Sequence, residues 1–163
     1  MRLLLISVLA AVAAITTPRL FADPIYLDQL METPVAELRR QFPGLRNEGC
    51  YRLSESRYLL ITIDKDQKPW RIALSVTEPC RRPVAGLDLD IRERTGVEIG
   101  DTSIDVMAKR GRPDASAAPE PEHRRLGDTE YLYICRVEES CARHTSIFMR
   151  GGAVTAVMEW YSN

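Results

Sequence analysis

Short runs of alternating hydrophobic and polar residues divide the chain into strand-like segments. The runs 58–63 and 70–76 show this pattern most clearly, because every second side chain of a strand points to the same face. The predicted buried sets are Leu59, Ile61 and Ile63 in the first run and Trp70, Ile72, Leu74 and Val76 in the second. The sequence predicts further strands at 50–53, 130–137, 143–150 and 154–161. Gly151-Gly152, between the last two, is typical of a tight hairpin turn.

Two other segments show the signals of a short amphipathic helix. In the first, Thr33 is predicted to cap the helix, Pro34 to occupy its first position and Pro43-Gly44 to end it. In the second, Thr102 is predicted to cap the helix and Gly111 to close it. The expected apolar stripes are Val35, Leu38 and Phe42 in the first helix and Ile104, Met107 and Ala108 in the second, with Val106 at the edge.

The order of these elements predicts an α+β fold. A helix with a narrow apolar stripe buries it against a sheet, so we expect an antiparallel sheet with short helices packed on one face. One helix followed by three strands occurs twice, which suggests two similar half-units, 23–94 and 95–163, in one compact domain. The segment 81–94 between them is either a further strand or an extended linker. The loop 115–127 is rich in Pro, Ala, Glu and Arg, and we expect it to be too polar to pack.

Residues 1–22 have the pattern of a secretory signal peptide. Arg2 precedes an apolar run from Leu3 to Ile15, and Ala22 is a suitable last residue for a cleavage site. An uncleaved membrane anchor is the alternative, but this run of 13 residues falls short of the roughly 20 that a spanning helix needs. We therefore expect cleavage near Ala22, no later membrane span, and a periplasmic or secreted protein.

The charge of the remaining chain bears on its partners. Residues 23–163 carry 20 basic and 23 acidic side chains, a net charge of −3, because Arg2 and Arg19 are removed with the signal. A nucleic-acid-binding protein would instead show a basic stripe and a high isoelectric point. We therefore expect no nucleic-acid partner.

The chain contains four cysteines: Cys50, Cys80, Cys135 and Cys141. In an oxidising compartment they are expected to form disulfides. Of the three possible pairings we favour Cys135 with Cys141, which flank a short polar segment between two strands, and by elimination Cys50 with Cys80. A metal site is the alternative, but the only histidines, His123 and His144, lack a recognised Cys/His spacing. We expect no metal and no other cofactor.

An uncovered sheet face would present side chains that give contact area at low entropic cost, such as tyrosine and arginine. The candidate binding residues are Tyr58, Arg71, Tyr131, Tyr133 and Tyr161. Alternation fixes that Tyr131 and Tyr133 share a face but not which face, so both pointing inward is the alternative. Trp70 and Trp160 are interpreted as core residues.

One motif resembles a known family. The segment Thr95–Asp114 reads Thr-Gly-x-x-Ile-Gly-Asp-Thr-x-x-Asp-Val and then Gly-x-Pro-Asp, and the strands after it end in a Gly-Gly hairpin followed by Val154-Thr-Ala-Val-Met158. This combination resembles the exported modules related to the SmpA/OmlA outer-membrane lipoproteins and the β-lactamase inhibitor protein, over 95–163 well and over 31–80 loosely. The resemblance implies a non-catalytic module that binds another protein, either as an envelope scaffold or as an inhibitor that presents its sheet. The chain lacks the lipidated cysteine of the lipoproteins.

The sequence does not spell out a catalytic constellation. Ser146 and His144 would share a strand face, but this is ordinary for residues two apart, and nothing in the sequence supplies the third group that orients a base. We therefore predict an exported, non-catalytic protein-binding module of the inhibitor, immunity or envelope-scaffold type, with a protein of the cell envelope as its partner. The alternative is a small periplasmic hydrolase or metal-dependent enzyme.

Overall fold

The computed structural model describes residues 23–85, 87–135 and 142–162. In chain order the elements are β1 (Ile25–Tyr26), α1 (Leu27–Glu32), α2 (Val35–Gln41), β2 (Glu48–Ser54), β3 (Arg57–Ile63), β4 (Pro69–Ser75), β5 (Val84–Ala85), β6 (Ile91–Arg92), α3 (Ser103–Arg110), β7 (Ala115–Ala117), β8 (Thr129–Ile134), β9 (Arg143–Arg150) and β10 (Ala153–Tyr161). The predicted signal peptide, residues 1–22, lies outside the described residues.

Eight of the described strands form one sheet in the order β5-β2-β3-β4-β10-β9-β8-β7. The neighbours are antiparallel except for β2 and β5, which are parallel. The strands β2-β3-β4 and β8-β9-β10 each form an antiparallel meander, and the last strands of the two meanders pair with each other at the centre. The short strands β1 and β6 form a separate parallel pair. The predicted α+β fold with a large, mostly antiparallel sheet and short helices is confirmed.

The larger core lies on one side of this sheet, the helix face. Strand residues on this face are Leu59, Ile61, Ile72, Ile147 and Val157. The same buried cluster contains Leu27 and Leu30 of α1, Leu38 of α2 and Val106 of α3. Each fully buried side chain of this kind stabilises the fold by about 1.5–3 kcal/mol relative to an exposed one. Hydrophobic burial therefore holds these helices on this one side of the sheet.

The opposite side, the loop face, carries a smaller core of Ala73, Phe148, Ala156 and Met158. Leu126, which is 4% exposed, packs against this core from the loop that follows β7. The expectation that 115–127 is too polar to pack is therefore wrong. The first three residues form β7 at the sheet edge, and the loop 118–127 folds back over the loop face because Leu126 can bury its side chain there.

The first predicted helix corresponds to α2, and a further short helix, α1, precedes it. Thr33 does not begin α2 but ends α1: its N–H donates to Leu30 O at 3.2 Å and its Oγ1 to Gln29 O at 2.8 Å. Pro34 takes the capping position of α2 instead. The sequence analysis missed α1, although Leu27, Leu30 and Met31 have the i, i+3, i+4 spacing of a buried helix face.

The second predicted helix is confirmed, but its orientation is not the predicted one. Thr102 caps α3, accepting from Asp105 N–H while Asp105 Oδ2 accepts from Thr102 N–H at 2.9 Å. Val106 is fully buried, whereas Ile104 is 76% exposed. The reason is Arg110, one turn beyond Val106, which forms an ion pair with a buried carboxylate and so turns that side of the helix inward.

The Cys50–Cys80 disulfide is present, with a Cα–Cα distance of 6.4 Å. Cys135 is disulfide-bonded as well, and Cys141, its predicted partner, lies outside the described residues. The segment 81–94 contains two strands of two residues each, β5 and β6. Within the described ranges, no helix is long and apolar enough to cross a membrane.

Candidate functional site

A cleft of about 290 Å³ opens on the loop face, between the sheet and the loop 118–127. We name it the tryptophan cleft. Its lining consists of the apolar groups Trp70, Trp160, Leu132 and Met158, the small side chains Ala115 and Ala117 of β7, and the charged or titratable groups Arg71, Glu120, Glu122, His123 and Glu130. An apolar concavity into which a few polar groups converge is the usual form of a binding site.

A β-bulge places two neighbouring residues in this cleft. Thr62 pairs with Arg71 and Ile63 pairs with Pro69, so Trp70 is the extra residue between them. Its indole Nε1 donates to Tyr161 O at 3.0 Å, and the Arg71 guanidinium carbon lies 4.6 Å from the centroid of its ring. The predicted place of Trp70 in the buried set of β4 is therefore corrected, because the bulge interrupts the strict alternation.

Arg71 also organises the charged side of the cleft. Its Nη1 donates to His123 Nε2 and lies 3.4 Å from Glu122 Oε1. Because Nε2 accepts this bond, the proton of the neutral imidazole belongs on Nδ1. Burial lowers the pKa of His123, and the positive charge of Arg71 lowers it further. His123 is therefore neutral at pH 7, and Arg71 supplies the fixed cation of the cleft.

Trp160 connects the cleft to the second histidine. Its ring packs against His144 with the centroids 4.7 Å apart, and its Nε1 donates to Ser146 Oγ at 3.0 Å. His144 Nδ1 is buried and has no hydrogen-bond partner within the described chain. Ser146 and His144 share the loop face, as predicted, but Ser146 Oγ is bonded to the indole. The arrangement therefore lacks the bond between nucleophile and base that covalent catalysis needs.

Glu120, Glu122 and His123 offer ligand atoms that all lie within 4.8 Å of one another. Carboxylates and imidazole are suitable ligands for a divalent metal. However, His123 Nε2 already accepts from the Arg71 guanidinium. A metal on this nitrogen would have to displace a positive charge, so the geometry suits an internal arginine better than a metal ion.

A second polar cluster lies on the helix face, around a cavity of about 210 Å³. Glu159 is 5% exposed there and accepts from Thr145 Oγ1 at 2.7 Å. Arg110 bridges this pair to Glu93, donating to Thr145 Oγ1 and to Glu93 Oε1. Burial raises the pKa of Glu159 to about 7, against the opposing effect of the Thr145 hydrogen bond and the Arg110 charge. This carboxylate therefore titrates near neutral pH.

The structure separates the five predicted binding residues. Tyr58 and Arg71 are on the loop face, where Arg71 lines the cleft and Tyr58 is buried beneath the Arg52 guanidinium. The other three lie on the helix face, where Tyr133 belongs to the core and Tyr131 and Tyr161 are partly buried against it. For Tyr131 and Tyr133 the inward alternative is therefore the observed one. Tyr133, for example, is 7% exposed and donates to Gly111 O at 3.1 Å. The five candidates are therefore divided between the two faces of the sheet.

The sequence analysis missed most of the cleft. The sequence pattern favours core positions for Trp70 and Trp160 and places Glu120, Glu122 and His123 in a polar loop, whereas all five line the cleft. A usable signal was present in Leu126-Gly127, because an isolated Leu-Gly pair at the end of a polar loop is suited to anchoring that loop on an apolar surface. The sequence around Trp70 contains no comparable signal that predicts the bulge.

No protein-family model, curated protein or solved structure matches this chain. The resemblance of 95–114 to the SmpA/OmlA and β-lactamase-inhibitor modules therefore stays a prediction from its motif.

Proposed function

We propose that the chain is an exported, non-catalytic protein-binding module that recognises its partner through the loop face, with the tryptophan cleft as the central contact. The observation that carries this proposal is the convergence of Trp70 and Trp160 in one concavity. Tryptophan is among the residues most enriched at the energetically dominant positions of protein interfaces.

Three features support the wider description. The Cys50–Cys80 disulfide fits an oxidising compartment, and the pattern of residues 1–22 fits export. The two three-stranded meanders, paired through β4 and β10, suit a relationship between two similar half-units. The motif at 95–114 suits a module of the envelope-scaffold or inhibitor type.

The alternative, a hydrolase or metal-dependent enzyme, is weaker on the same geometry. Ser146 Oγ is bonded to Trp160 rather than to a base, and His123 Nε2 is bonded to Arg71 rather than open to a metal. The cleft can hold and orient a group, but it does not present an activated nucleophile.

The proposal predicts that partner binding depends on the rim of the cleft. The disulfide-bonded chain would be used to capture proteins from an envelope extract, and the captured protein would then be purified and titrated directly. Glu120 and Glu122 are exposed, so the pair of changes Glu120→Lys and Glu122→Lys should leave the fold intact. We expect this variant to bind the partner at least about tenfold more weakly, because rim charges are reversed.

The matched control is Ile104→Ser with Met107→Ser, since both side chains are exposed on α3, which packs on the helix face. This variant should keep the affinity of the unchanged chain. The opposite pattern, with binding lost in the α3 variant and unaffected in the cleft variant, would refute the proposal, and so would the repeated absence of any specific partner.

A further inference from the structure

The tryptophan cleft is acidic although it contains an arginine. Three carboxylates, those of Glu120, Glu122 and Glu130, line it together with one guanidinium, that of Arg71. His123 adds no charge at pH 7, because burial and the Arg71 charge hold its pKa below the ordinary value of 6.5. The formal charge of the lining is therefore −2. Electrostatic complementarity favours a cationic occupant.

The size and the walls of the cleft restrict that occupant further. Its volume of about 290 Å³ lies just below the range of roughly 300–1,000 Å³ that is usual for small-molecule pockets. It thus suits one long side chain better than a cofactor. Trp70 and Trp160 offer apolar surface for a methylene stem, while the acids can bind a charged head.

Arg71 already makes both kinds of contact within the cleft, one with an aromatic ring and one with a carboxylate. Its guanidinium stacks on the Trp70 ring and lies within 3.4 Å of the Glu122 carboxylate. A second cation could use the Trp160 ring and the remaining carboxylates in the same way. A bare metal ion would gain nothing from these apolar walls.

We propose, building on the proposed function, that the tryptophan cleft receives a lysine or arginine side chain of the partner protein. The stem lies against the tryptophans, and the charged head is bound by Glu120, Glu122 and Glu130.

The two tryptophans of the chain both line the cleft, so intrinsic fluorescence reports its occupancy directly. The probes are the capped peptides Gly-Arg-Gly and Gly-Lys-Gly, with Gly-citrulline-Gly as a neutral analogue of the same shape and Gly-Glu-Gly as the reversed charge. We expect the cationic peptides to bind with millimolar dissociation constants and the citrulline peptide to bind roughly tenfold more weakly.

Three variants separate charge recognition from a merely structural effect. Glu120→Gln with Glu122→Gln should weaken the arginine peptide roughly tenfold, while the matched pair Glu55→Gln with Asp66→Asn, also exposed, should leave its affinity unchanged. Arg71→Gln, measured at pH 8 where His123 is neutral, should strengthen binding because it removes a like charge. If Arg71→Gln instead disrupted the structure of the cleft, the arginine peptide would bind more weakly.

Equal affinity for the arginine and citrulline peptides, or tighter binding of the glutamate peptide, would overturn this inference. If the captured partner needs the cleft but the cationic peptides do not bind, the inference fails while the proposed function stands. If the cationic peptides bind but partner binding does not depend on the cleft, the proposed function fails, and the assignment of a partner side chain fails with it.

Discussion

At the scale of single residues, Glu159 is the side chain whose environment conflicts most with its chemistry. It lies two residues before the end of β10, beside Ile72 and Thr145 on the neighbouring strands. Arg143 Nε is 3.8 Å from its Oε2, which is too far for a hydrogen bond. The Thr145 hydroxyl and the nearby arginines offset the cost of burying the charge only in part, so burial decides the direction of the pKa shift.

This shift predicts a pH-dependent cost that Glu159→Gln should remove. The pKa is about 7 in the folded chain against 4.5 when unperturbed, so the fold favours the protonated acid. The stabilisation of the folded state that this preference gives is fully present below pH 4.5 and is lost as the pH rises through 7. Between pH 5 and pH 8 the unfolding free energy of the variant should rise relative to the unchanged chain by about 2–3 kcal/mol.

Urea unfolding of both proteins across this pH range measures that difference. Taking the difference between the two proteins cancels groups that titrate equally in both, such as His123. A gap that stays constant from pH 5 to pH 8 would show that Glu159 is already ionised at low pH in the folded chain.

Orientation was the least predictable property at this scale. Tyr131 and Tyr133 alternate with Glu130 and Leu132, and either pair could have faced the helices. The choice follows from cross-strand neighbours, since Tyr131 pairs with the fully buried Ile147. Nothing within residues 129–134 contains that information, because it depends on a strand that comes later in the chain.

At the scale of elements, hydrophobic alternation and helix caps were the signals that predicted most of the strands and the start of α3. The strands at 58–63, 143–150 and 154–161 were predicted to within one residue of β3, β9 and β10, because each has one face in a buried core. The Thr102 cap was predicted because it is local chemistry. The inward side of α3 was not, since it depends on the pairing of Arg110 with Glu93, 17 residues away.

The loop 118–127 depends on one close backbone approach, which makes Gly127→Ala a sharp test. A Cβ at this position would lie 2.7 Å from Met149 O and 2.9 Å from Phe148 Cβ, and the first of these atoms is rigid backbone. We expect a loss of stability of about 1–3 kcal/mol, because the loop or the strand must move. Amide exchange in 118–127 should accelerate more than in the central strands.

Gly111→Ala is the control for the loss of a glycine alone. Its φ is +83°, so alanine is strained there, but no atom lies within 4 Å of the added Cβ. This variant should lose stability without faster exchange in the loop. Unchanged exchange in the loop of the Gly127 variant would mean that Leu126 and the Arg150 bonds to the Arg124 and Arg125 carbonyls anchor it by themselves.

At the scale of the whole molecule, the pairing of β4 with β10 joins the two halves into one sheet. Sequence reasoning predicted the members of each meander but not their order across the sheet, because such pairings link residues more than 80 positions apart, such as Leu74 and Val157. The tryptophan cleft could not be predicted for the same reason. Trp70, His123 and Trp160 come from three distant segments, so only the assembled sheet brings them together.

The Cys50–Cys80 disulfide acts on this assembled scale, and its removal is the last test. It closes a separation of 30 residues, for which the chain-entropy estimate gives about 3–4 kcal/mol of stabilisation. A domain of this size has about 5–15 kcal/mol in total, so Cys50→Ala with Cys80→Ala should remain folded but unfold at lower urea. The double variant is preferable to chemical reduction, because Cys135 is disulfide-bonded as well.

This disulfide should also affect the cleft. Cys80 follows Pro79, whose carbonyl accepts from Arg125 Nη1 at 2.5 Å and so ties the loop 118–127 to the end of the first meander. Without the disulfide, we expect faster amide exchange in this loop and weaker binding of the arginine peptide, in addition to the lower urea midpoint. A lower midpoint with unchanged exchange and unchanged peptide affinity would show that the disulfide stabilises the fold globally and leaves the loop over the cleft unaffected.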